Sequence, residues 1–328
     1  MLQDGYGRQI TYLRISVTDR CNMRCVYCMP PEGIPLQSHA AMLRYEEITA
    51  VVQAAASQGI REVRLTGGEP LVRLDLAELV RQIAAIPGIE DISLTTNGLL
   101  LGKYAQELAQ AGLRRVNVSL DTLRPDRFAR ITRGADLAQV WQGLAAADEA
   151  GLKPIKLNMV AMRGVNTDEI LDMARLTRDH DWHVRFIELM PIQNQAAWGD
   201  GFPAPHAAYF PIAEILAQLA PLNLEPILTD VGRGPAHQYR IPGAPGRLGF
   251  ISPLSEPFCQ ECNRLRLTAD GNLRPCLLSD REIPLLPALR QGEPVLPLIL
   301  QAVEQKPAGH ELGLNHSPAG RCMRQIGG

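Results

Sequence analysis

The sequence predicts an α/β protein in which a parallel strand–helix domain precedes a smaller α+β domain. Two observations indicate this order. Short β-branched strands and amphipathic helices alternate six times up to about residue 190, the pattern of a parallel α/β fold. Gly- and Pro-rich turns, short helices and a hairpin then replace the alternation. A six-unit open barrel and an open sheet both satisfy the first pattern. We place the boundary near residue 221, which gives domains of 1–220 and 221–328.

Alternating apolar residues predict the strands, and apolar faces ended by glycine or proline predict the helices. Strands are expected at 12–17, 63–66, 91–96, 116–120, 155–160 and 184–189, and helices at 45–58, 76–86, 104–111, 137–150, 167–178 and 212–219. Residues 264–267 and 272–277 predict a hairpin that turns at Ala269-Asp270-Gly271. Because parallel strands present their carboxyl ends at one edge, we expect the polar residues that follow them to gather into one site.

Composition excludes several classes of function. The 328 residues are 46% hydrophobic and 21% charged with a net charge of −2, so the chain is globular and long duplex nucleic acid is not an expected partner. The first residues lack an apolar signal segment, and apolar runs such as 295–303 are too short to cross a bilayer. We therefore expect a cytoplasmic protein without a membrane partner. Its seven cysteines are then reduced thiols.

The first cysteine group follows the first predicted strand and has the spacing Cys21-x3-Cys25-x2-Cys28. Thiolates are the usual ligands of iron–sulfur clusters. Three of them can hold three corners of a cubane cluster and leave the fourth iron open for a substrate or cofactor, as catalytic metal sites do. The alternatives are a chance grouping of three cysteines and a zinc loop with a distant fourth ligand. An aromatic residue, Tyr27, precedes the third cysteine.

The second cysteine group is Cys259-x2-Cys262-x13-Cys276, and the predicted hairpin can bring its third member back to the first two. A zinc site completed by His237 or His310 is one interpretation, and a second cluster with an open iron is the other. Arg264 and Arg266 follow at once and share one face of the predicted strand. Two guanidinium groups beside an open metal site suit a bidentate anion such as phosphate, although paired arginines also occur on ordinary protein surfaces.

These motifs and the terminal Gly327-Gly328 resemble, in the same order and over essentially the whole chain, the GTP 3′,8-cyclase family of molybdenum-cofactor biosynthesis, within the radical S-adenosylmethionine (SAM) superfamily. The resemblance implies a partial (βα)6 TIM-like barrel and a C-terminal domain that carries a second iron–sulfur cluster. It implies two [4Fe-4S] clusters and SAM as cofactors.

Individual positions match the family's functional residues. The resemblance implies that SAM contacts Tyr27, Gly67, Gly68, Glu69, Ser119 and Met190, and that GTP contacts Arg14, Arg64, Thr95, Lys156, Arg264, Leu265 and Arg266. It also implies catalytic roles for Arg264, Arg266, Gly327 and Gly328, with the Gly-Gly end reaching into the active site. A frayed, dispensable chain end is the alternative for the last two residues. A P-loop sequence is absent.

The activity implied by the resemblance converts GTP to (8S)-3′,8-cyclo-7,8-dihydroguanosine 5′-triphosphate, with 5′-deoxyadenosine and methionine as co-products. SAM is cleaved reductively, the 5′-deoxyadenosyl radical removes a hydrogen from C3′ of GTP, and the C3′ radical adds to C8 of the guanine. Expected partners are a reduced flavodoxin or ferredoxin as electron donor and cyclic pyranopterin monophosphate synthase, which receives the product. The oligomeric state stays open, with a homodimer as one option.

Two alternative functions remain open at the level of the sequence. One is another radical SAM enzyme with an auxiliary cluster, such as a peptide-modifying maturase, although such enzymes usually carry more C-terminal cysteines. The other is a non-catalytic iron–sulfur or zinc protein. Cys322 has no partner group and is most simply a free thiol, and residues 193–206 have no predicted role.

Overall fold

A computed structural model describes residues 1–30, 32–33, 35–190, 198–227, 235–310, 312 and 321–327. Its strands are β1 Tyr12–Ser16, β2 Glu62–Thr66, β3 Asp91–Thr96, β4 Arg115–Ser119, β5 Lys156–Ala161, β6 His183–Glu188, β7 Glu225–Pro226, β8 His237–Arg240, β9 Arg247–Ile251, β10 Arg264–Leu267, β11 Asn272–Arg274 and β12 Ile283–Pro284. Its helices are α1 Tyr45–Ala56, α2 Leu76–Ala84, α3 Leu101–Gln110, α4 Pro125–Thr132, α5 Leu137–Glu149, α6 Ile170–Asp179, α7 Ile212–Leu219, α8 Leu286–Gln291 and α9 Leu296–Glu304.

The strands form one twelve-stranded sheet in the order β12-β11-β10-β1-β2-β3-β4-β5-β6-β9-β8-β7. The strands from β1 to β6 are parallel and adjacent in chain order, as the six strand–helix alternations predict. β10 adds to β1 and β9 adds to β6, again in parallel. Residues from all the strands between β10 and β9 in the sheet order line one cavity, so the sheet curves around it. The predicted α/β class and partial barrel are confirmed.

Side-chain alternation along the strands separates the core from the cavity. Leu13, Ile15, Val63 and Leu65 are fully buried on the face that packs against the helices. Arg14 and Arg64 alternate with them and point to the other face, where both line the cavity. The hydrophobic effect at the helix layer therefore holds polar side chains at fixed positions inside the barrel.

The C-terminal part of the chain joins the barrel at both of its sides. Strand β9 extends the sheet beyond β6, while β10 pairs with β1 so that Arg266 lies beside Arg14. The hairpin of β10 and β11 is antiparallel, as predicted. Since strands from before and after residue 221 share the sheet, a boundary at that position stays a prediction.

Several predicted elements differ in detail from the structure. Helix α4 was not predicted, because the segment begins Arg124-Pro125-Asp126-Arg127 and contributes few buried residues, among them Phe128 and Ile131. Helix α3 begins three residues before its predicted start, at Leu101. Strand β11 ends at Arg274 instead of 277, and a 3-10 turn precedes α6. In the ranges that the structure describes, no helix is long and apolar enough to span a bilayer.

Close packing of α5 against the turn before α3 gives a stability prediction. A Cβ atom at Gly143 would lie 2.5 Å from the carbonyl oxygen of Gly98, a backbone atom that cannot rotate away. Gly143→Ala should lower the free energy of unfolding by about 1–3 kcal/mol through overpacking. Urea denaturation of the two proteins measures the difference.

Gly102→Ala is the matched control, because a Cβ at this helical position meets nothing closer than 3.8 Å. It should leave stability unchanged or raise it slightly, since alanine favours helices. Equal effects of the two substitutions would contradict the packing described here.

Candidate active site

A cavity of about 1100 Å³ occupies the interior of the curved sheet. Most residues predicted for the site line it: Cys21, Cys25, Tyr27, Cys28, Gly67, Gly68, Ser119, Met190, Arg14, Arg64, Thr95, Lys156, Arg264 and Arg266. The lining does not include six other predicted residues: Cys259, Cys262, Cys276, Glu69, Leu265 and Gly327. It does include Phe258 and Leu277, which are the sequence neighbours of Cys259 and Cys276. The predicted gathering of strand-end residues is observed for the first cysteine loop, Gly67, Gly68, Ser119 and Met190, and basic residues from within the strands or at their starts join them.

The first cysteine loop lies at the carboxyl end of β1 and is attached to α4. The backbone N–H groups of Arg24 and Val26 donate to the carbonyls of Thr132 and Ile131, at 3.1 and 2.9 Å. All three cysteines are half-buried free thiols. Burial, followed by the neighbouring Cys28, raises the pKa of Cys25.

The donor set of this loop fits an iron–sulfur cluster. Burial makes isolated thiolates unfavourable, whereas a bound metal compensates their charge. The thiolates of a cubane cluster bind different irons and stand further apart than the ligands of a single ion. Among the described residues, no group of three His, Cys, Asp or Glu side chains is placed to hold a single metal ion.

Gly67 and Gly68 lie where the turn after β2 crosses the chain that follows β1. Added Cβ atoms would lie 2.6 Å from the Thr18 carbonyl oxygen and 2.3 Å from that of Arg20. The backbone N–H of Gly68 donates to the same Thr18 oxygen at 2.7 Å. The glycines let two backbone segments meet at the cavity wall.

Glu69 has a different environment from the one the resemblance suggests for a SAM contact. Its side chain is fully buried, and its carboxylate accepts hydrogen bonds from the Leu71 N–H, the Thr96 hydroxyl and the Asn97 N–H, at 3.0, 2.7 and 2.7 Å. Burial raises the pKa of Glu69 to about 7. In this structure Glu69 joins the turns after β2 and β3, within the wall of the cavity.

Asp121 is a site residue for which sequence analysis assigned no role. The Tyr27 hydroxyl donates to its Oδ2 at 2.7 Å, and the Val160 N–H donates to its Oδ1 at 2.9 Å. Burial raises the pKa of Asp121 to about 6. Asp121 lies directly after the fourth strand, two residues beyond Ser119, and this position could have identified it from the sequence as a site residue.

A row of arginines crosses the cavity wall. The strand register sets Arg266, Arg14 and Arg64 side by side on β10, β1 and β2. Burial, followed by the charges of Arg266 and Arg64, lowers the pKa of Arg14. Leu265 lies between Arg264 and Arg266 and is fully buried, as expected for the opposite face of the strand.

Further basic side chains extend this row, and sequence analysis missed them: Arg115, His183, Arg185 and Arg247. Lys156 lies beside His183, which in turn lies beside Arg247. Burial, followed by the charges of Arg185 and Arg115, lowers the pKa of Lys156 to about 6. Alternation along β6 was the available signal, but it does not distinguish a cavity-facing strand side from a solvated one.

Several polar atoms on this wall are ready to bind a ligand. Thr95 Oγ1, Asn158 Oδ1 and Arg185 Nε are buried and lack a hydrogen-bond partner within the part of the chain that is described. Buried polar groups are normally paired, so such atoms suggest a missing ligand or water. Together with the clustered cations, they suit a polyanion that carries several acceptor oxygens.

The second cysteine group lies beside β10 and is held by two cations. Lys306 donates to the carbonyls of Arg264 and Pro275 at 2.8 and 2.7 Å, and its Nζ lies 3.5 Å from the Cys262 sulfur. Arg8 donates to the Cys259 carbonyl at 2.7 Å. Burial raises the pKa of Cys262, but Lys306 and Arg264 outweigh it and the net shift is downward. The three thiols of this group are free and half-buried.

The two histidines considered for a zinc site are placed differently from metal ligands. Nε2 of His310 lies 2.7 Å from the Pro253 carbonyl oxygen, and its Nδ1 accepts from the Leu312 N–H at 3.4 Å. Both ring nitrogens are thus engaged. His237 is exposed on β8, opposite Phe250. The zinc interpretation gains no support from either residue.

The C-terminal tail, defined as residues 321–327, runs into the cavity. Met323 and Arg324 line it, and Ile326 is buried. The Gly327 carbonyl oxygen accepts a hydrogen bond from Arg266 Nη1 at 3.1 Å. Gly327 has φ +67°, and an added Cβ would lie 2.6 Å from Cγ2 of Thr66. Gly328 lies outside the described residues, as do residues 193–197 of the segment 193–206 that has no predicted role.

Comparisons with known proteins first define the class. Residues 15–177 match the radical SAM superfamily and residues 182–312 match Molybdenum Cofactor Synthesis C. Streptococcus suis SuiB bound to S-adenosylmethionine has the same fold, with a TM-score of 0.60 and 14% identity over 82% of this chain and 60% of that chain. Native anSMEcpe with bound AdoMet gives a TM-score of 0.55 at 14% identity, over 97% of this chain and 88% of that one. The chain therefore has the radical SAM fold.

Full-length relatives define the family. The GTP 3′,8-cyclase of Pelotomaculum thermopropionicum is 54% identical over 334 residues, and that of Moorella thermoacetica is 52% identical over 331, in both cases across the whole of both chains. The chain belongs to the GTP 3′,8-cyclase family of radical SAM enzymes. The resemblance seen in the sequence is confirmed, and membership implies a [4Fe-4S] cluster and SAM as cofactors.

We predict that binding of a polyphosphate anion is accompanied by proton uptake at Lys156. Because its pKa is about 6, the side chain is mostly neutral at higher pH. A bound polyanion stabilises the ammonium form and raises the pKa, so a proton is taken up and affinity falls as the pH rises. Calorimetry with tripolyphosphate in two buffers of different ionisation enthalpy measures this uptake at about pH 8, where the Lys156 side chain of the free protein is mostly neutral.

Lys156→Gln should reduce the uptake by roughly one proton per site. Lys103→Gln, a substitution of an exposed lysine, serves as the control and should keep the wild-type value. Identical uptake by the wild-type protein and Lys156→Gln would mean that this lysine is already charged in the free cavity.

Proposed function

We propose that this chain converts GTP to (8S)-3′,8-cyclo-7,8-dihydroguanosine 5′-triphosphate, a step of molybdenum-cofactor biosynthesis, with 5′-deoxyadenosine and methionine as co-products. One observation carries the proposal. A single cavity is lined by the first cysteine loop, by a row of arginines, and by residues flanking the second cysteine group. A radical source and a polyanion site would then share one cavity.

The first cluster would be held by Cys21, Cys25 and Cys28, and a second cluster by Cys259, Cys262 and Cys276. When bound, the first cluster and SAM supply the one-electron chemistry that generates a carbon radical at GTP. Tyr27, Ser119 and Met190 would contact SAM, and the backbone of Gly67 and Gly68, which line the same cavity, would contact its methionine part. Glu69 would act indirectly, by holding the turn that carries these glycines.

Arg14, Arg64 and Lys156, with Thr95, would bind the triphosphate of GTP. Their lowered pKa values reflect unfavourable burial and, for Arg14 and Lys156, mutual repulsion, which a polyanion relieves. Arg264, Leu265 and Arg266 would position the rest of the nucleotide beside the second cysteine group. Attachment at both ends would hold C3′ and C8 of one GTP molecule in a near-attack geometry.

The terminal glycines would complete the site. The Gly327 carbonyl already bonds to Arg266, one of the arginines assigned to the nucleotide. We propose that the electron donor is a reduced flavodoxin or ferredoxin in the cytoplasm, and that cyclic pyranopterin monophosphate synthase receives the product. A peptide-modifying function has no specific observation in its favour.

Cysteine variants test this function. Cys25→Ser removes a ligand of the first cluster and should abolish 5′-deoxyadenosine formation. Cys262→Ser should keep slow SAM cleavage but lose the conversion of GTP, because the two cysteine groups have separate tasks. The measurement is anaerobic incubation with SAM, a reductant and GTP, followed by quantification of 5′-deoxyadenosine and residual GTP. Normal GTP conversion by either variant would contradict the assignment, and a wild-type protein without GTP loss would refute the function.

Gly327→Ala tests the role of the tail. The new methyl group would meet Thr66 Cγ2 at 2.6 Å and should move the tail away from Arg266. We expect iron content and SAM cleavage without GTP to persist, while GTP conversion falls roughly tenfold, as for a lost charge-assisted contact. The assay described above measures both activities.

Gly292→Ala is the control for this variant. Gly292 has φ +71°, similar to Gly327, but an added Cβ there meets nothing within 4 Å. The control shares the backbone strain and lacks the clash, so it should convert GTP normally. Adding Thr66→Ser to Gly327→Ala removes the clashing methyl and should restore part of the activity. Full activity of Gly327→Ala alone would show that the tail is dispensable.

A further inference from the structure

A salt-bridge cluster outside the cavity holds the start of the C-terminal tail. Arg321 Nε and Nη2 donate to the two carboxylate oxygens of Glu282 at 2.6 and 2.8 Å. Its Nη1 and Nη2 donate to the two oxygens of Asp270 at 3.1 and 2.8 Å. The guanidinium thus pairs bidentately with two carboxylates at once, the arrangement with the greatest geometric specificity for arginine.

All three side chains are mostly buried, with 15% exposure for Arg321, 17% for Asp270 and 22% for Glu282. The pKa of Asp270 is lowered: burial raises it, but hydrogen bonds from Arg321 and Thr268 outweigh that effect. For Arg321, burial lowers the pKa, but the hydrogen bonds to Glu282 and Asp270 outweigh that effect and the net shift is upward. An ion pair of this kind fixes position more strongly than an exposed surface pair does.

The two carboxylates lie in or next to the β10–β11 hairpin, which also forms part of the cavity wall proposed to bind the nucleotide. Asp270 lies in the turn between β10 and β11, and β10 carries Arg266. Glu282 also pairs with Arg274 on β11, and that side chain is 1% exposed. The β10–β11 hairpin therefore contacts both ends of the tail. Asp270 binds Arg321 at the start of the tail, and Arg266 binds Gly327 at its end.

We propose that Arg321 is a positioning residue, which anchors the C-terminal tail to Asp270 and Glu282 and thereby sets where Gly327 lies in the cavity. The effect on turnover rests on the proposed function, whereas the anchoring itself does not. Between the two attachment points Cys322, Arg324 and Ile326 are buried. Without the anchor at Arg321, the hydrogen bond from Arg266 and the burial of these side chains would have to hold the segment against the chain entropy gained on its release.

Cys322 reports directly on the position of the tail. Its side chain is 3% exposed, next to Arg321 in sequence, and it belongs to neither cysteine group. In the fully reconstituted enzyme, modification by a maleimide, located by peptide mass mapping, measures how often the tail opens. Arg321→Gln should raise the modification rate of Cys322 about tenfold or more, because local opening exposes the thiol. Iron and sulfide per chain should stay at the wild-type level.

Asp270→Asn is the second variant, because it leaves the Glu282 pair with Arg321 and with Arg274 in place. It should give a smaller rise in Cys322 modification than Arg321→Gln. The double variant should not exceed Arg321→Gln in this respect, since both substitutions remove the same ion pair. Arg281→Gln, next to Glu282 in sequence but exposed, is the matched control and should behave as the wild type does.

GTP conversion provides the second readout. Arg321→Gln should lose roughly tenfold in turnover, as a misplaced site residue does, while SAM cleavage without GTP persists. Arg321→Lys, which keeps the charge but not the bidentate geometry, should retain more of the turnover than Arg321→Gln does.

Wild-type protection of Cys322 in both Arg321→Gln and Asp270→Asn would overturn the anchor. An exposed Cys322 with unchanged turnover would overturn the positioning role. If the wild-type protein itself did not convert GTP, the proposed function would fail and the Cys322 measurement would still decide the anchor.

Discussion

The structure depends on the burial of several like charges inside one curved sheet. Arg266, Arg14 and Arg64 stand on adjacent strands, about 5 Å apart at the backbone, where charges repel and water is scarce. Burial and this repulsion lower the pKa of Arg14. The apolar side chains that alternate with them, among them Leu13 and Leu65, supply the compensating free energy by packing against the helices. The cavity is therefore arranged for a polyanion.

This arrangement explains why the C-terminal part pairs with the first strand. Arg264 and Arg266 reach the cavity only because β10 adds to β1 in register. Lys306 and Arg8 bind backbone carbonyls around the second cysteine group and so fix that group relative to β10. A nucleotide held by the whole row of cations would contact residues from both parts of the chain at once. The cavity wall that carries these cations is formed by both parts of the chain together.

Those features of the fold and site that follow from local sequence patterns could be predicted from the sequence. Alternation and glycine stops predict the six parallel strands, and the cysteine spacings identify both cysteine loops. Arg185 and Arg115 escaped prediction because a strand's alternation shows which residues share a side, but not whether that side meets water or a cavity. Glu69 was assigned to SAM from its place in a motif, whereas the hydrogen bonds that fix its carboxylate come from Thr96 and Asn97, which are distant in sequence. Such contacts exist only once β2 and β3 are adjacent.

The C-terminal tail places polar or charged groups at two separate parts of the cavity, the first cysteine loop and the arginine row. Arg324 lies near the first cysteine loop, where its charge acts to lower the pKa of Cys28 against the stronger effect of burial. Gly327 brings a carbonyl dipole to Arg266 on a separate part of the cavity wall. The charge of Arg321, by contrast, is neutralised by Asp270 and Glu282 outside the cavity. Of the two tail arginines, only Arg324 adds a charge inside, and it does so beside the cysteines, whose thiolates would be stabilised by a cation. The charge that the tail adds to the cavity therefore lies beside the first cysteine loop, whereas Arg321 is paired outside the cavity.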